Sequence, residues 1–362
     1  MFTKKLMGLD WYLIGSVLAL SALGLMTIYS ASSYQNDFLN FWKHALFLVI
    51  GIAIMIFLGS IDWRILRDGP YLIPFFYLLC LAGLTGLLFV KPAISGIRSW
   101  YNFGFFSIDP VEFVKLALII FLAKYFSTRH VELYNMRHIF ISGLYVFLPA
   151  VLIMLQPEFG SVIVLALLWI GALIVSGIKT KQFLIILLLG AILLALSWFF
   201  ILKDYHKERI ISFITPSFEP LDVGWNQAQA EIAIGSGGLW GKGFNRGTQI
   251  KYGFLPASQT DFIFAGIAEE WGMFGAGLVL AAFAVIIWRL VRTCLMSRSN
   301  FPRLFSVGLA IVIISHVIIN IGMNLGLLPV VGIPLPLVSY GGSSLLVILS
   351  GLGLVLSMEN RP

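Results

Sequence analysis

Ten apolar runs fix what this chain can become. They lie at about 11–31, 43–60, 71–90, 111–126, 139–155, 160–178, 182–202, 262–291, 304–323 and 343–358. At about 1.5 Å of rise per residue, each helix would cross about 30 Å of hydrocarbon, the fourth only just. A membrane barrel would instead show segments of about ten residues with alternating polarity. These runs are continuous, so helices are the remaining way to satisfy the backbone inside lipid. Composition agrees: 59% of residues are hydrophobic and 11% charged, too few polar groups to cover a water-soluble domain of this length. The expected fold class is an all-α polytopic membrane protein with about ten transmembrane helices. It forms a single transmembrane domain over 1–362, with a long extracytoplasmic loop at about 203–260 between spans seven and eight.

The net charge is +7. In a water-soluble protein that would raise nucleic acid as a partner; here it reads as basic cytoplasmic loops. With the N-terminus inside, the inner segments hold fourteen of the twenty-four Lys and Arg residues, and the short outer loops and adjoining helix ends hold four. The remaining six fall in the long loop, which orientation does not weigh. Both termini are then expected in the cytoplasm. The start, with Lys4 and Lys5 before an apolar run, has the look of a signal peptide, but 11–31 is too long for one and reads as a retained first span. Cys80 and Cys294 form no disulfide framework and no metal pattern.

The unusual loops all fall on one side, the outer one. They are GIRSWYNFGFFSIDPVE (96–112), QPEFGS (156–161), the long loop, and LPVVGIPLPLVSYGGSS (328–344). The long loop contains a short amphipathic piece (227–238) followed by a glycine-rich stretch (238–253). Three prolines forbid a regular helix at 329–336. The eighth run carries Glu269, Glu270 and Gly272 and exceeds a simple crossing, which predicts a bent or broken start lodged in a cavity.

Several residues offer chemistry. Asp261 stands at the mouth of the eighth span, where it and Thr260 serve either as helix caps or as the edge of a site with Asp261 as general base. Glu112 and Lys115 share a helix face. They form either a structural ion pair or a pair that shapes a polar cleft and tunes a neighbouring carboxylate. Arg98 suits either a phosphate or an interfacial anchor. Lys242 sits in a glycine-rich loop that either approaches an anionic headgroup or is simply solvated. Ser339, Tyr340 and Ser343 flank Gly341 and Gly342, permitting close helix packing or lining a polar site. His316, Asn320 and Asn324 fall on one face of span nine, a pattern that suits hydrogen bonding between helices. Together these features describe an outward-facing polar cavity that acts on, or moves, an amphiphile with an anionic head.

The segments SGIRSW, DPVEFVK, QPEFGS, IAIGSGGLWGKGFNRGTQ, FLPASQTDFIFAGIAEEWGMFG and NIGMNLGLLPVVGIPLPLVSYGGSS resemble, in order and over nearly the whole chain, the SEDS family (shape, elongation, division and sporulation proteins). Within it the RodA branch is the nearest, which a first span beginning near residue 11 favours. Two runs depart from the usual pattern: Asp109–Glu112, and Ala257–Gln259 before Thr260 and Asp261. The resemblance implies a peptidoglycan glycosyltransferase that polymerises lipid II at the outer face of the bacterial cytoplasmic membrane during elongation. The implied partners are a class B penicillin-binding protein and other elongation-complex proteins. The alternatives are a division-type (FtsW-like) polymerase, a lipid II flippase, or a non-catalytic scaffold. The family's essential carboxylate matches Asp261, and its fourth-span Glu and Lys match Glu112 and Lys115. Gln156, Thr260, Ser339, Tyr340 and Ser343 complete the expected cavity. Charge for the leaving group is expected from Arg98, Lys115 and Lys242, or from a divalent cation. The acids show no clear metal spacing.

Overall fold

The computed structural model describes residues 10–89, 100–104, 106–129, 136–156, 158–200 and 223–361, with residues 207, 211 and 213 besides. Its helices are α1 (Trp11–Gln35), α2 (Leu39–Ser60), α3 (Arg64–Asp68), α4 (Leu72–Leu87), α5 (Pro110–Arg129), α6 (Met136–Met154) and α7 (Phe159–Val175). They continue with α8 (Thr180–Phe200), α9 (Val223–Gly237), α10 (Thr248–Lys251), α11 (Ile263–Met296), α12 (Asn300–Asn324) and α13 (Gly342–Asn360). A two-stranded antiparallel ribbon, β1 (Tyr101–Asn102) and β2 (Ser107–Ile108), precedes α5.

Seven of these helices, α1, α2, α6, α8, α11, α12 and α13, are long and apolar enough to cross a membrane. The shorter apolar helices α4 and α7, and α5 with its Glu112 and Lys115, occupy the other three expected spans. The chain is an integral, all-helical membrane protein. No helix forms between Leu325 and Gly341, as the prolines there require. The long loop is less irregular than its composition suggests, since it contains α9 and α10.

The packing centre is α12, which lies against α5, α7 and α11, while α13 runs along α2. Close approach of that last pair depends on Gly353, where a Cβ would stand 2.9 Å from Met55 Cα. Leu20, Ile28, Phe283, Phe305, Leu309 and Leu352 are buried among these helices. In α8 only 12% of the apolar window is buried, and Leu184, Leu188 and Leu193 are exposed, a surface suited to lipid. At the end holding the chain termini, Asp10 caps α1 through Tyr12 N–H (3.1 Å) and Leu13 N–H (3.3 Å) and pairs with Arg289 of α11. Arg289 also reaches Glu359 at 3.4 Å, joining the end of α13.

The expected break in the eighth span is present. Gly272 has φ 64° and ψ −159° inside α11, and the glycine-rich loop threads the gap. Lys242 N–H donates to the Glu269 carbonyl (3.0 Å) and Gly243 N–H to that of Glu270 (2.9 Å). Beyond the break, Met273 N–H donates to Gly238 O (2.9 Å) and Phe274 N–H to Leu239 O (3.3 Å). The groups that an interrupted helix would leave unpaired are thus met by a second segment, as burial demands.

Candidate functional site

Asp261 sits where three successive carbonyls are pinned. Gln259 O accepts from Tyr340 N–H at 2.7 Å, and Thr260 O from the Ser339 hydroxyl at 2.6 Å. Asp261 O accepts from both Asn320 Nδ2 (3.0 Å) and Asn324 Nδ2 (2.9 Å). The donors come from α12 and from the segment before α13, so the approach to α11 is fixed from two sides. The spacing of Asn320 and Asn324 gave their shared face; it gave no sign that both would converge on one carbonyl. Helix capping takes a different form from the expected one. Phe262 occupies the N-cap without a side-chain bond, while Asn324 Oδ1 accepts from Ala265 N–H at 3.1 Å. The Thr260 hydroxyl turns back to Ala257 O, at 3.3 Å.

The Asp261 side chain is half-buried and its carboxylate lies beside Gly332, where a Cβ would be 3.7 Å from Oδ2. Next to this segment opens a cleft of about 290 Å³, whose lining includes Gln35, Asn40, Gln259, Thr260 and Tyr340 and no charged side chain. Amides and hydroxyls of this kind suit a neutral, hydroxyl-rich group. Gln259 is itself held by Asn40 Nδ2, 2.9 Å from its Oε1.

Glu112 and Lys115 form a buried ion pair at 2.8 Å, with 4% and 1% of their surfaces exposed. Lys115 Nζ also lies 3.1 Å from His316 Nε2, so a further helix, α12, closes over a pair of charges that neither residue could carry alone. Ser343 accepts from Asp109 N–H at 2.9 Å, and Asp109 Oδ1 caps α5 through Val111 N–H at 2.9 Å. Burial, with Glu158 and Glu112 close by, raises the Asp109 carboxyl well above the ordinary carboxylate range.

The other expected cavity residues have partners of their own. Gln156 is fully buried and donates to Leu84 O at 2.9 Å. Lys242 pairs with Glu269 at 2.7 Å. Fully buried Glu269 also accepts from the Thr248 hydroxyl (3.0 Å) and Gln249 N–H (3.0 Å). Glu269 is therefore the anchor of the threaded loop. Glu270 accepts from Ser30 of α1, and Tyr34 one turn later holds Asn245 O. Among the described residues no group of three or more His, Cys, Asp or Glu could hold a metal ion. Arg98 lies outside the described residues.

A family model, FTSW_RODA_SPOVE, described as cell cycle protein, matches residues 10–361. The chain belongs to this family. Peptidoglycan glycosyltransferase MrdB of Escherichia coli (strain K12) is 33% identical over 353 residues, covering 98% of this chain and 94% of that one. A solved chain from work on the structural coordination of polymerization and crosslinking by a peptidoglycan synthase complex superposes with TM-score 0.82 at 30% identity. It covers 97% of this chain and 98% of the other. The rod shape determining protein RodA of Thermus thermophilus superposes with TM-score 0.69 at 28% identity, covering 97% of each chain. Family members named FtsW and stage V sporulation protein E match at comparable identity.

Within this FtsW/RodA/SpoVE fold the Glu112–Lys115 pair has a measurable signature. Lys115→Met leaves Glu112 buried without its cation and should cost about 3–5 kcal/mol, read as a lowered unfolding temperature in detergent. Glu112→Gln combined with Lys115→Met should recover part of that loss. A single variant as stable as the parent would contradict the burial of the pair.

Proposed function

We infer that this chain is a peptidoglycan glycosyltransferase that polymerises lipid II into β-1,4 glycan strands at the outer face of the bacterial cytoplasmic membrane, with both termini in the cytoplasm. Supporting this is a full-length family match combined with one geometric fact: a half-exposed carboxylate, Asp261, on a backbone pinned at three consecutive carbonyls. In this reading the 4-hydroxyl of the acceptor GlcNAc attacks the anomeric carbon of the donor MurNAc. The new C–O bond forms as the bond to the undecaprenyl pyrophosphate breaks, with one inversion. Asp261 takes the hydroxyl proton, a general-base role that needs fixed placement more than it needs mobility.

The leaving diphosphate needs positive charge. Lys115 and Lys242 are committed to Glu112 and Glu269, which leaves Arg98 as the cation of the expected three to assign to it. The neutral cleft beside Thr260 and Tyr340 suits a sugar ring better than a phosphate. A class B penicillin-binding protein is the proposed partner, in keeping with the similarity to a chain of a peptidoglycan synthase complex. Elongation is the favoured setting; the comparable identity of FtsW relatives keeps division as the second reading. Depletion of the protein should give round cells in the first case and filaments in the second.

The biochemical test is reconstitution in vesicles with labelled lipid II, scored separately for glycan chains and for headgroup translocation. Chains without translocation are expected. Translocation without chains would replace the polymerase reading with a flippase.

A further inference from the structure

His316 is buried with no exposed surface on α12, and its two nitrogens face different structures. Nε2 lies 3.1 Å from Lys115 Nζ, and Nδ1 lies 3.2 Å from Pro334 O. An ammonium has donors and no acceptor, so Nε2 must accept. The proton then sits on Nδ1 and is donated to Pro334 O. The geometry selects one neutral tautomer, and each nitrogen fixes the ring from one side.

Pro334 is not an incidental partner. The preceding carbonyl, Ile333 O, accepts from Asn320 Nδ2 at 2.8 Å. Gly332, one residue earlier, lies beside the Asp261 carboxylate. Two consecutive carbonyls of this proline-interrupted segment are thus held by side chains one turn apart on α12. The same helix uses Asn320 to hold Asp261 O. His316 is the link that joins this frame to the buried Lys115–Glu112 pair of α5.

We propose that His316 is a positioning residue for the glycosyl-transfer site. It sets the direction of the Lys115 ammonium and locks the 332–334 segment that borders Asp261. The proposal rests on the glycosyltransferase reading for its catalytic consequence and not for its geometry. A displacement of about 1 Å in such a frame can cost roughly 10²-fold in rate.

Three replacements separate the two ends of the ring. His316→Gln can offer an amide oxygen near the Nε2 position and so keep an acceptor for Lys115. His316→Asn can offer an amide N–H near Nδ1 and keep the bond to Pro334 while leaving Lys115 without its acceptor. His316→Ala loses both. In full-length protein with lipid II as substrate, we expect His316→Ala to lower kcat about 10²-fold with KM within about twofold. His316→Asn, which keeps the bond to the segment beside Asp261, should recover most of that loss, and His316→Gln little of it, at matched unfolding temperatures for the two amides. Parent-like kcat in all three variants overturns the proposal. So does a loss of kcat that merely follows the loss of unfolding temperature across the series. A double-mutant cycle of His316→Asn with Lys115→Met, read as thermal unfolding, tests the contact without any activity. Strong coupling is expected, and additivity overturns the proposal. If the parent makes no glycan, the glycosyltransferase reading fails, and the cycle still decides whether His316 sets Lys115.

Discussion

Asp261→Asn should abolish glycan polymerisation while leaving the protein folded. A positioned base contributes roughly 10²–10⁴-fold, and asparagine keeps the shape of the side chain while removing its basicity. The bonds that hold this stretch use the carbonyls of Gln259, Thr260 and Asp261 with donors from Tyr340, Ser339, Asn320 and Asn324. All of these survive the substitution, so the unfolding temperature in detergent should match the parent. Lipid II turnover should fall by at least two orders of magnitude, with or without a penicillin-binding partner. A folded Asp261→Asn variant polymerising at the parent rate would show that the base lies elsewhere. The contrast with Asn324→Ala is informative. That change removes a pin from Asp261 O and a partner from Ala265 N–H together, so it should lower both stability and rate.

The second large effect is expected at the threaded break. Gly241→Ala places a methyl against the Glu270 carbonyl and 2.6 Å from Gly272 N, at a residue whose φ is +77°. Left-handed backbone alone costs a residue with a side chain roughly 1–3 kcal/mol, and here the contact is with backbone that has no room to yield. The loop can escape only by leaving the break. That would strip the partners from Glu269 O, Glu270 O and the N–H groups of Met273 and Phe274. We expect a marked fall in unfolding temperature, rapid proteolysis between 238 and 253, and loss of polymerisation. Gly235→Ala is the control: α9 leaves open space around that position, and alanine favours helix over glycine by about 1 kcal/mol. It should be neutral or stabilising. Equal behaviour of the two variants would mean the loop is not lodged in the break.

The contrast between Glu269 and Gly272 shows how far sequence carries. An apolar run too long for one crossing, with two acids and a glycine near its start, was enough to predict an interrupted helix. What fills the interruption was not readable. The partners of the freed groups come from residues about thirty positions earlier, and which stretch of a glycine-rich loop turns inward depends on the shape of the gap. For the same reason the sequence did not show that Lys242, expected near a leaving group, pairs with Glu269. Glycine-rich sequence with interspersed cations suits a headgroup and a buried carboxylate equally well.

The sequence by itself determined that the chain is a polytopic helical membrane protein, that its proline-rich segment is irregular, and that Asp261 stands at a helix mouth. Those outcomes follow from transfer of apolar runs into hydrocarbon and from the missing N–H of proline, which act locally along the chain. The tertiary structure alone decided what holds Asp261 in place, since its carbonyl is fixed by Asn320 and Asn324, some sixty residues away. It also decided that Lys115 faces His316 as well as Glu112. Hydrogen bonds and ion pairs of this kind are short-ranged in space and indifferent to sequence separation, so only the packing of α5, α11 and α12 selects them.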